Sequence, residues 1–355
     1  MAVAARPLDD RVDRIVRRCY AGLDVDQLRR DVLGRLRAIM PVDAVFFATV
    51  DPATMLFTSA TAEEPLRGAG PLFLDNEFGR ADVNKFTTLA AAADPVSSLD
   101  HATDGNRGAS ARYREVMAPL QLGDELRAAL ISAGRCWGVI CLHREKSPFG
   151  FTDRELRLVR RLAPHLGEGL RRNVLDTRSQ NIEPDEPGPG IIVLDAGQSI
   201  ISISAEAEHW LAQISDTAWQ HSTELPIAIY TAAARLGHPH RIAAQAVPTS
   251  RLRTRSGRWL TVHATLLSGP SHQHTAVILQ PAAPAQLRSL LLDAHGLTPA
   301  QQRVTALVLQ GRSTHQIVRE LRISAYTVQE HLRAAFDKFG VGSRRELIAT
   351  LLHQP

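Results

Sequence analysis

Four helix-start signals crowd into residues 296–352, and they leave this stretch few ways to fold. Thr298-Pro-Ala-Gln301 supplies a threonine N-cap, a proline at the first helical position and a glutamine able to reach back to the cap. Ser313-Thr-His-Gln316 and Ser343-Arg-Arg-Glu346 repeat the pattern, and Ser324 can cap a helix between them. Gly311 and Gly340 stand where a helix end turns left-handed with least strain. Only Arg322-Ile323-Ser324 separates the second helix from the third, which predicts a helix-turn-helix. The third helix divides by face. Val328, Leu332, Ala335, Phe336 and Phe339 form a stripe that should bury against Val304, Leu307, Val308, Ile317 and Leu321. Tyr326, Gln329, Glu330 and Arg333 recur at i, i+3, i+4 and i+7 on the other side. Those are side chains suited to base edges: glutamine to adenine, glutamate to cytosine N4, arginine to guanine.

Leu297-Thr-Pro, Gly311-Arg-Ser-Thr, the Ile323-to-Leu332 run and the Phe336-to-Leu347 run resemble the LuxR-type (GerE-type) DNA-binding domain. The Tyr326-to-Leu332 and Phe339-to-Leu347 forms resemble an actinobacterial branch with sensory modules upstream. The resemblance implies an all-α four-helix domain over 297–355 that binds double-stranded operator DNA through its third helix. Gln329, Glu330 and Arg333 are then expected to read bases, while Tyr326, Thr327, Lys338 and Arg344 hold phosphates. Two departures stand out. Ala300-Gln301-Gln302-Arg303 replaces an acidic run common in the family, and Gln329 stands where many relatives carry lysine. In the fourth helix, Leu347 and Leu351 can face the core while Ile348 and Leu352 point outward. These four are the candidate dimerisation residues of a homodimer on half-sites roughly 10 bp apart. RNA polymerase is a further candidate partner.

The charge agrees with a local DNA reader. Across 355 residues, 41 Lys+Arg against 37 Asp+Glu leave +4, yet residues 297–355 alone hold eight basic and four acidic side chains, 8 − 4 = +4. The length exceeds one compact core and predicts two or three domains. Cys19, Cys136 and Cys141 make no paired framework. No signal peptide is expected before Asp9-Asp10-Arg11, and no apolar run of about 18 residues could cross a membrane, so a cytoplasmic chain with no membrane partner is expected. No GxxxxGK[ST], GxSxG or HExxH is present, so no enzyme is expected.

Residues 1–175 predict an α+β sensor domain. Residues 9–40 read as helical, Ala44–Val50 and 55–60 as strands, 74–93 as helix, 100–110 as a mobile loop, and 125–133 with 136–143 as a strand pair hinged at Gly134-Arg135. Trp137, Val139, Cys141 and His143 should share one strand face, with Cys136, Ile140 and Leu142 on the other. Thr152-Asp-Arg-Glu155 caps a long helix that Pro164 should kink. Trp137-Gly-Val-Ile-Cys-Leu-His143 and Phe151-Thr-Asp-Arg-Glu-Leu156 resemble a GAF domain. That resemblance implies an unknown small-molecule effector, with no certain cofactor, near Phe46, Phe57, Phe78, Phe86, Tyr113, Trp137 and Val139. Ordinary core is the preferred reading for most of those aromatics. Cys141 and His143 could ligate haem iron in such a sensor, but a packed strand is the preferred reading and no metal is expected.

Residues 176–190 read as a linker, because Glu183-Pro-Asp-Glu-Pro-Gly-Pro-Gly190 suits neither helix nor sheet. Residues 191–281 predict an α+β module: Ile191-Ile-Val-Leu194, an Asp195 turn, a second strand, a helix from Ala205, then strands at 251–255, 258–267 and 275–280. Its opening resembles a PAS domain. Residues 282–296 should hold a connecting helix. Arg251, Arg253 and Arg255 share a strand face, either as an anion clamp or second nucleic-acid contact or, as preferred, as a solvated or interdomain salt-bridge row. His238-Pro-His240 and His272-Gln-His274 lack the partners of a metal set. The whole predicts a ligand-controlled, sequence-specific DNA-binding regulator. The alternative is a small-molecule-binding or scaffolding module whose last helices dock a protein.

Overall fold

The computed structural model describes residues 5–147, 149–176, 187–214, 225–236, 249–268 and 273–353. Most of the expected linker, together with His238, His240 and His272, lies outside them. The chain forms two compact units, Met1–Pro281 and Ala282–Pro355. In order, the first holds α1 (Ala5–Cys19), α2 (Val25–Arg37), β1 (Ala44–Val50), β2 (Phe57–Ala62), α3 (Gly70–Gly79), α4 (Phe86–Ala91), β3 (Val96–Ser98), α5 (Leu99–Ala102), β4 (Leu122–Ser132), β5 (Arg135–Glu145) and α6 (Asp153–Leu175). It continues with β6 (Gly190–Leu194), β7 (Ile200–Ile203), α7 (Ala205–Ile214), α8 (Ile227–Leu236), β8 (Thr249–Arg253), β9 (Trp259–Ser268) and β10 (Gln273–Pro281).

Two antiparallel sheets organise this unit, ordered β2-β1-β5-β4-β3 and β7-β6-β10-β9-β8. The order is the same in both: second, first, fifth, fourth and third strand of each set. On the first sheet, α6 packs against one face, and α1 and α2 pack on α6. The α6 backbone comes so close that a Cβ at Gly167 would sit 2.8 Å from the Leu130 carbonyl carbon, so only glycine fits there. The opposite face carries the aromatic core with α3 and α4. The helix runs on through Pro164 over 23 residues.

Several local expectations change. Residues 9–40 form two helices because Gly22, at φ 65°, turns the chain and Asp24 with Gln27 closes a capping box on α2. Residues 74–93 also split. The Asp82 carboxylate accepts from Arg112 N–H at 2.7 Å, Asn76 Nδ2 at 2.8 Å and Ser110 Oγ at 3.1 Å, and Asn84 is left-handed at φ 55°, so the segment is pinned as a loop. The 100–110 stretch is fastened rather than loose: Arg107 donates to Asp100 Oδ1 at 2.7 Å and to the Ser147 carbonyl at 3.0 Å. The β4–β5 turn is Ala133-Gly134, both at positive φ. A register shift near it pairs Leu130 with Gly138 but Ile131 with Cys136, so Trp137 is the extra residue. Cys136 therefore joins Val139 and Cys141 in the core, and Trp137 leaves that face.

Glu168 ties α6 to the β4–β5 hairpin, accepting from Ser132 Oγ at 2.6 Å and from Arg171 and Arg172 at 2.8 Å each. The Arg171 hydrogen bond, helped by Ser132 and Arg172 and opposed by burial, holds its pKa down to about 2. Against an unfolded value of about 4.3, its contribution is complete at higher pH and disappears as pH falls toward 2. Acid unfolding followed by circular dichroism should therefore be steeper through this window in the wild type than in Glu168→Gln. Equal slopes would remove Glu168 from the account.

The second unit holds α9 (Pro284–Ala294), α10 (Pro299–Leu309), α11 (Thr314–Leu321), α12 (Ala325–Phe339) and α13 (Arg344–His353). The capping boxes at Thr298/Gln301 and Ser313/Gln316 are both closed, and Ser324 caps α12. Gly311 and Gly340 are left-handed at φ 78° and 65°. Val304, Leu307, Val308, Ile317, Val328 and Leu332 form one core cluster, with Leu321 and Phe336 against it. The expected connecting helix, α9, belongs to this unit's core: Leu291 and Leu292 pack with Leu297, Ala335, Leu347 and Leu351.

Candidate nucleic-acid interface and sensor face

The turn before α12 is made by Arg322, left-handed at φ 54°, which ends α11 and lets Ser324 start α12 immediately. The cap fixes the first turn, because Thr327 N–H donates to Ser324 Oγ at 3.0 Å and the two hydroxyls lie 2.8 Å apart. Thr327 is thus half-buried and engaged. Burial of Val328, Leu332 and Ala335 against α10 and α11 forces the other face outward. Tyr326, 74% exposed, and Gln329, Glu330 and Arg333 all stand on that face. Two expected phosphate contacts already have intrachain partners. Lys338 Nζ donates to the Gly296 carbonyl at 2.7 Å and to Gln301 Oε1 at 2.8 Å, and Arg344 donates to the Arg312 carbonyl.

The expected dimerisation set divides. Leu347 and Leu351, at 0% and 1% exposure, are interior, because α13 must close the core that α9 and α12 open. They cannot belong to a surface. Ile348, expected outward, is half-buried against the α10–α12 cluster. Leu352, 44% exposed, remains outside.

In the sensor unit the sequence-chosen aromatics do converge. Phe46 lies 5.3 Å from Phe57, and Phe57 lies 5.2 Å from Phe78 and 6.1 Å from Phe86, ring centre to centre. Phe73, which sequence reasoning missed, completes the set 4.8 Å from Phe46. Val139 is part of the floor and Tyr113 packs at the edge. Trp137 is not among them; its ring N–H donates to the Ser132 carbonyl at 2.9 Å. The rings fill the space that a ligand was expected to occupy, and α8 closes it. Ala234, Ile227 and Tyr230 pack on the same cluster, and Thr231 Oγ1 donates to the Phe57 carbonyl at 3.1 Å. A cleft of about 440 Å³ opens elsewhere, between the α1–α2 turn and the end of α6, and shares no residue with the rings.

Beside the rings lies a buried charged network that no motif announced. Glu125 and Arg127 alternate on the inward face of β4, in register with His143 and Cys141 on β5. Arg112 Nε donates to Glu125 Oε2 at 2.8 Å, Arg127 Nε lies 3.0 Å from Glu125 Oε1, and Arg127 Nη1 donates to Glu77 Oε2 at 2.7 Å. The Arg127 guanidinium also covers the Phe86 ring at 4.5 Å. Burial would raise the Glu125 pKa, but Arg112 and Arg127 hold it well below the usual carboxylate range. The available signal was Glu125 and Arg127, spaced i, i+2 on one face of β4.

The two halves of the first unit are latched by a second buried pair. The Arg251 main-chain N–H and Nε donate to Asp51 Oδ2 at 2.9 and 2.7 Å, and its Nη2 donates to Oδ1 at 2.7 Å. Arg253 reaches the Asn173 carbonyl at 3.3 Å, and Arg255 reaches that of Ala212. The arginine row is an internal fastening.

Two family models match the chain: "GAF domain" over residues 24–170 and "Bacterial regulatory proteins, luxR family" over 295–351. By these matches the chain carries a GAF domain ahead of a luxR-type regulatory domain. These families are sensory and regulatory rather than enzymatic. No curated protein matches. Among solved structures, the VqmA–ligand–DNA complex of Vibrio cholera is 20% identical, with 47% of this chain and 81% of that chain covered and a TM-score of 0.24. A methyl-accepting chemotaxis protein fragment is 20% identical over 46% and 99%, TM-score 0.33. The E. coli DhaR(N)–DhaL complex is 16% identical over 76% and 90%, TM-score 0.25. Those likenesses support no transfer of function. No helix among the described residues is long and apolar enough to cross a membrane.

Proposed function

We propose that the protein binds double-stranded DNA as a homodimer, lays α12 in the major groove and changes affinity when the GAF domain takes up a small molecule. The exposed row Tyr326, Gln329, Glu330 and Arg333 on a helix locked by its cap carries the reading. Gln329, Glu330 and Arg333 read base edges, and Tyr326 at the helix start holds a phosphate. Thr327 acts through the cap. Lys338 and Arg344 serve first to fix the α9–α10 and α10–α11 corners. On this reading the 191–281 module is PAS-like and couples the sensor to the reader, and RNA polymerase is the downstream partner.

A guanine-N7 methylation footprint of the full-length chain on its selected duplex tests the docking. The expected result is protected guanines in two patches about one helical turn apart, roughly 10 bp. Binding without major-groove protection would reject it. Leu352 is the exposed apolar residue of α13, so Leu352→Glu should convert the dimer to a monomer by sedimentation velocity. An unchanged mass moves the interface away from α13.

A further inference from the structure

We propose that Glu125, Cys141 and His143 form a binding site for one thiophilic divalent ion of the Zn²⁺ class in the GAF domain. Their donor atoms lie within 4.8 Å of one another, and all three residues are buried, at 1%, 0% and 2% exposure. The strands put them there. Glu125 and His143 are direct cross-strand partners, and Cys141 is two residues from His143 on the same β5 face. Neither ring nitrogen of His143 has a hydrogen-bond partner, and the nearer approach is Nε2 to Glu125 Oε1 at 3.7 Å. Glu125 Oε1 likewise accepts no hydrogen bond of ordinary geometry. A fully buried imidazole with both nitrogens unsatisfied is costly. Coordination by one nitrogen gives it a partner that the protein itself does not supply.

The donor set fixes the class of ion. One thiolate, one imidazole and one carboxylate oxygen are the three ligand types of zinc sites, and three protein ligands leave a fourth position open. A single carboxylate beside a sulfur does not suit Ca²⁺ or Mg²⁺. Arg112, 2.7 Å from Glu125 Oε2, and Arg127, 3.0 Å from Oε1, orient the carboxylate, the task of groups one shell out from a metal. The charge balance tolerates the ion. Arg112, Arg127 and Lys85 offset Glu77, Asp82 and Glu125, and a dication that displaces the Cys141 proton adds one net charge. The two guanidiniums are already committed to Glu125 and Glu77, which argues against an anion in the same place. The proposal does not depend on the DNA-binding reading.

The test is to produce the full-length chain in medium supplemented with Zn²⁺ or with Co²⁺, move it to metal-free buffer and count the metal by mass spectrometry. The expected result is about one ion per chain, a thiolate-to-Co²⁺ charge-transfer band, and loss of both in Cys141→Ser and His143→Gln. Circular dichroism checks that these variants fold. His101→Gln, an exposed position that is not one of the three ligands, should retain the ion. A metal-free wild type, or metal retained by both cluster variants, overturns the proposal. If the variants fail to fold, the wild-type Co²⁺ spectrum decides, since a bound ion without the thiolate band also overturns it.

Discussion

Arg251→Ala is expected to destabilise the Met1–Pro281 unit by about 3–5 kcal/mol, because it leaves a buried carboxylate without its counterion. Asp51 is 2% exposed and receives three hydrogen bonds from Arg251, one of them from the backbone. Only the two side-chain bonds vanish in the variant, but the buried carboxylate loses its counterion with them. The double variant Asp51→Leu/Arg251→Met should recover much of the loss, since removing both charges also removes the desolvation cost. Urea unfolding of the full-length chain reads the effect as an earlier transition of the first unit, with the second unit's transition unmoved. If Arg251→Ala leaves that transition in place, the latch does not hold the two sheets together. The same contact anchors the module whose α8 packs on the Phe57 face of the GAF domain.

Arg333→Ala is expected to cost about 1–3 kcal/mol in DNA affinity, roughly 5- to 150-fold, and only on duplexes that carry the preferred base at one position. Its side chain is exposed on α12, so the fold should not change. A contact to phosphate would instead weaken every duplex alike. Lys338→Ala provides the contrast. Its ammonium is held by Gly296 and Gln301, so its removal should loosen the start of α10 more than it changes any base preference. Anisotropy titrations over a panel of single-base variants separate the two behaviours.

The second unit was largely legible because its signals are local. N-caps, left-handed glycines and a 3.6-residue apolar stripe all act within one or two turns, and each acts here as expected. The inward turn of Ile348 was not legible, since it looks like Leu352 until α10 and α12 supply a core for it. In the first unit the strands followed from alternation, but α8 carried no cap or stripe that set it apart. It is made of small and apolar residues that bury on two sides. The split of 74–93 depends on Arg112 and Ser110 reaching Asp82 across some thirty residues. The Trp137 displacement depends on a bulge that periodicity of two cannot register. Glu125 and Arg127 were visible as charges, but their pairing with Arg112 and Glu77 required the folded sheet.

The most direct measurement is an equilibrium titration of the full-length chain against a duplex selected from a random pool and against a scrambled duplex of equal composition, at one fixed salt concentration. If α12 reads base edges, the selected duplex binds tighter by a factor on the order of 10³ or more. Equal affinities for the two duplexes, both falling together as salt rises, would mean that the row Tyr326, Gln329, Glu330 and Arg333 meets only backbone charge, and would contradict the account.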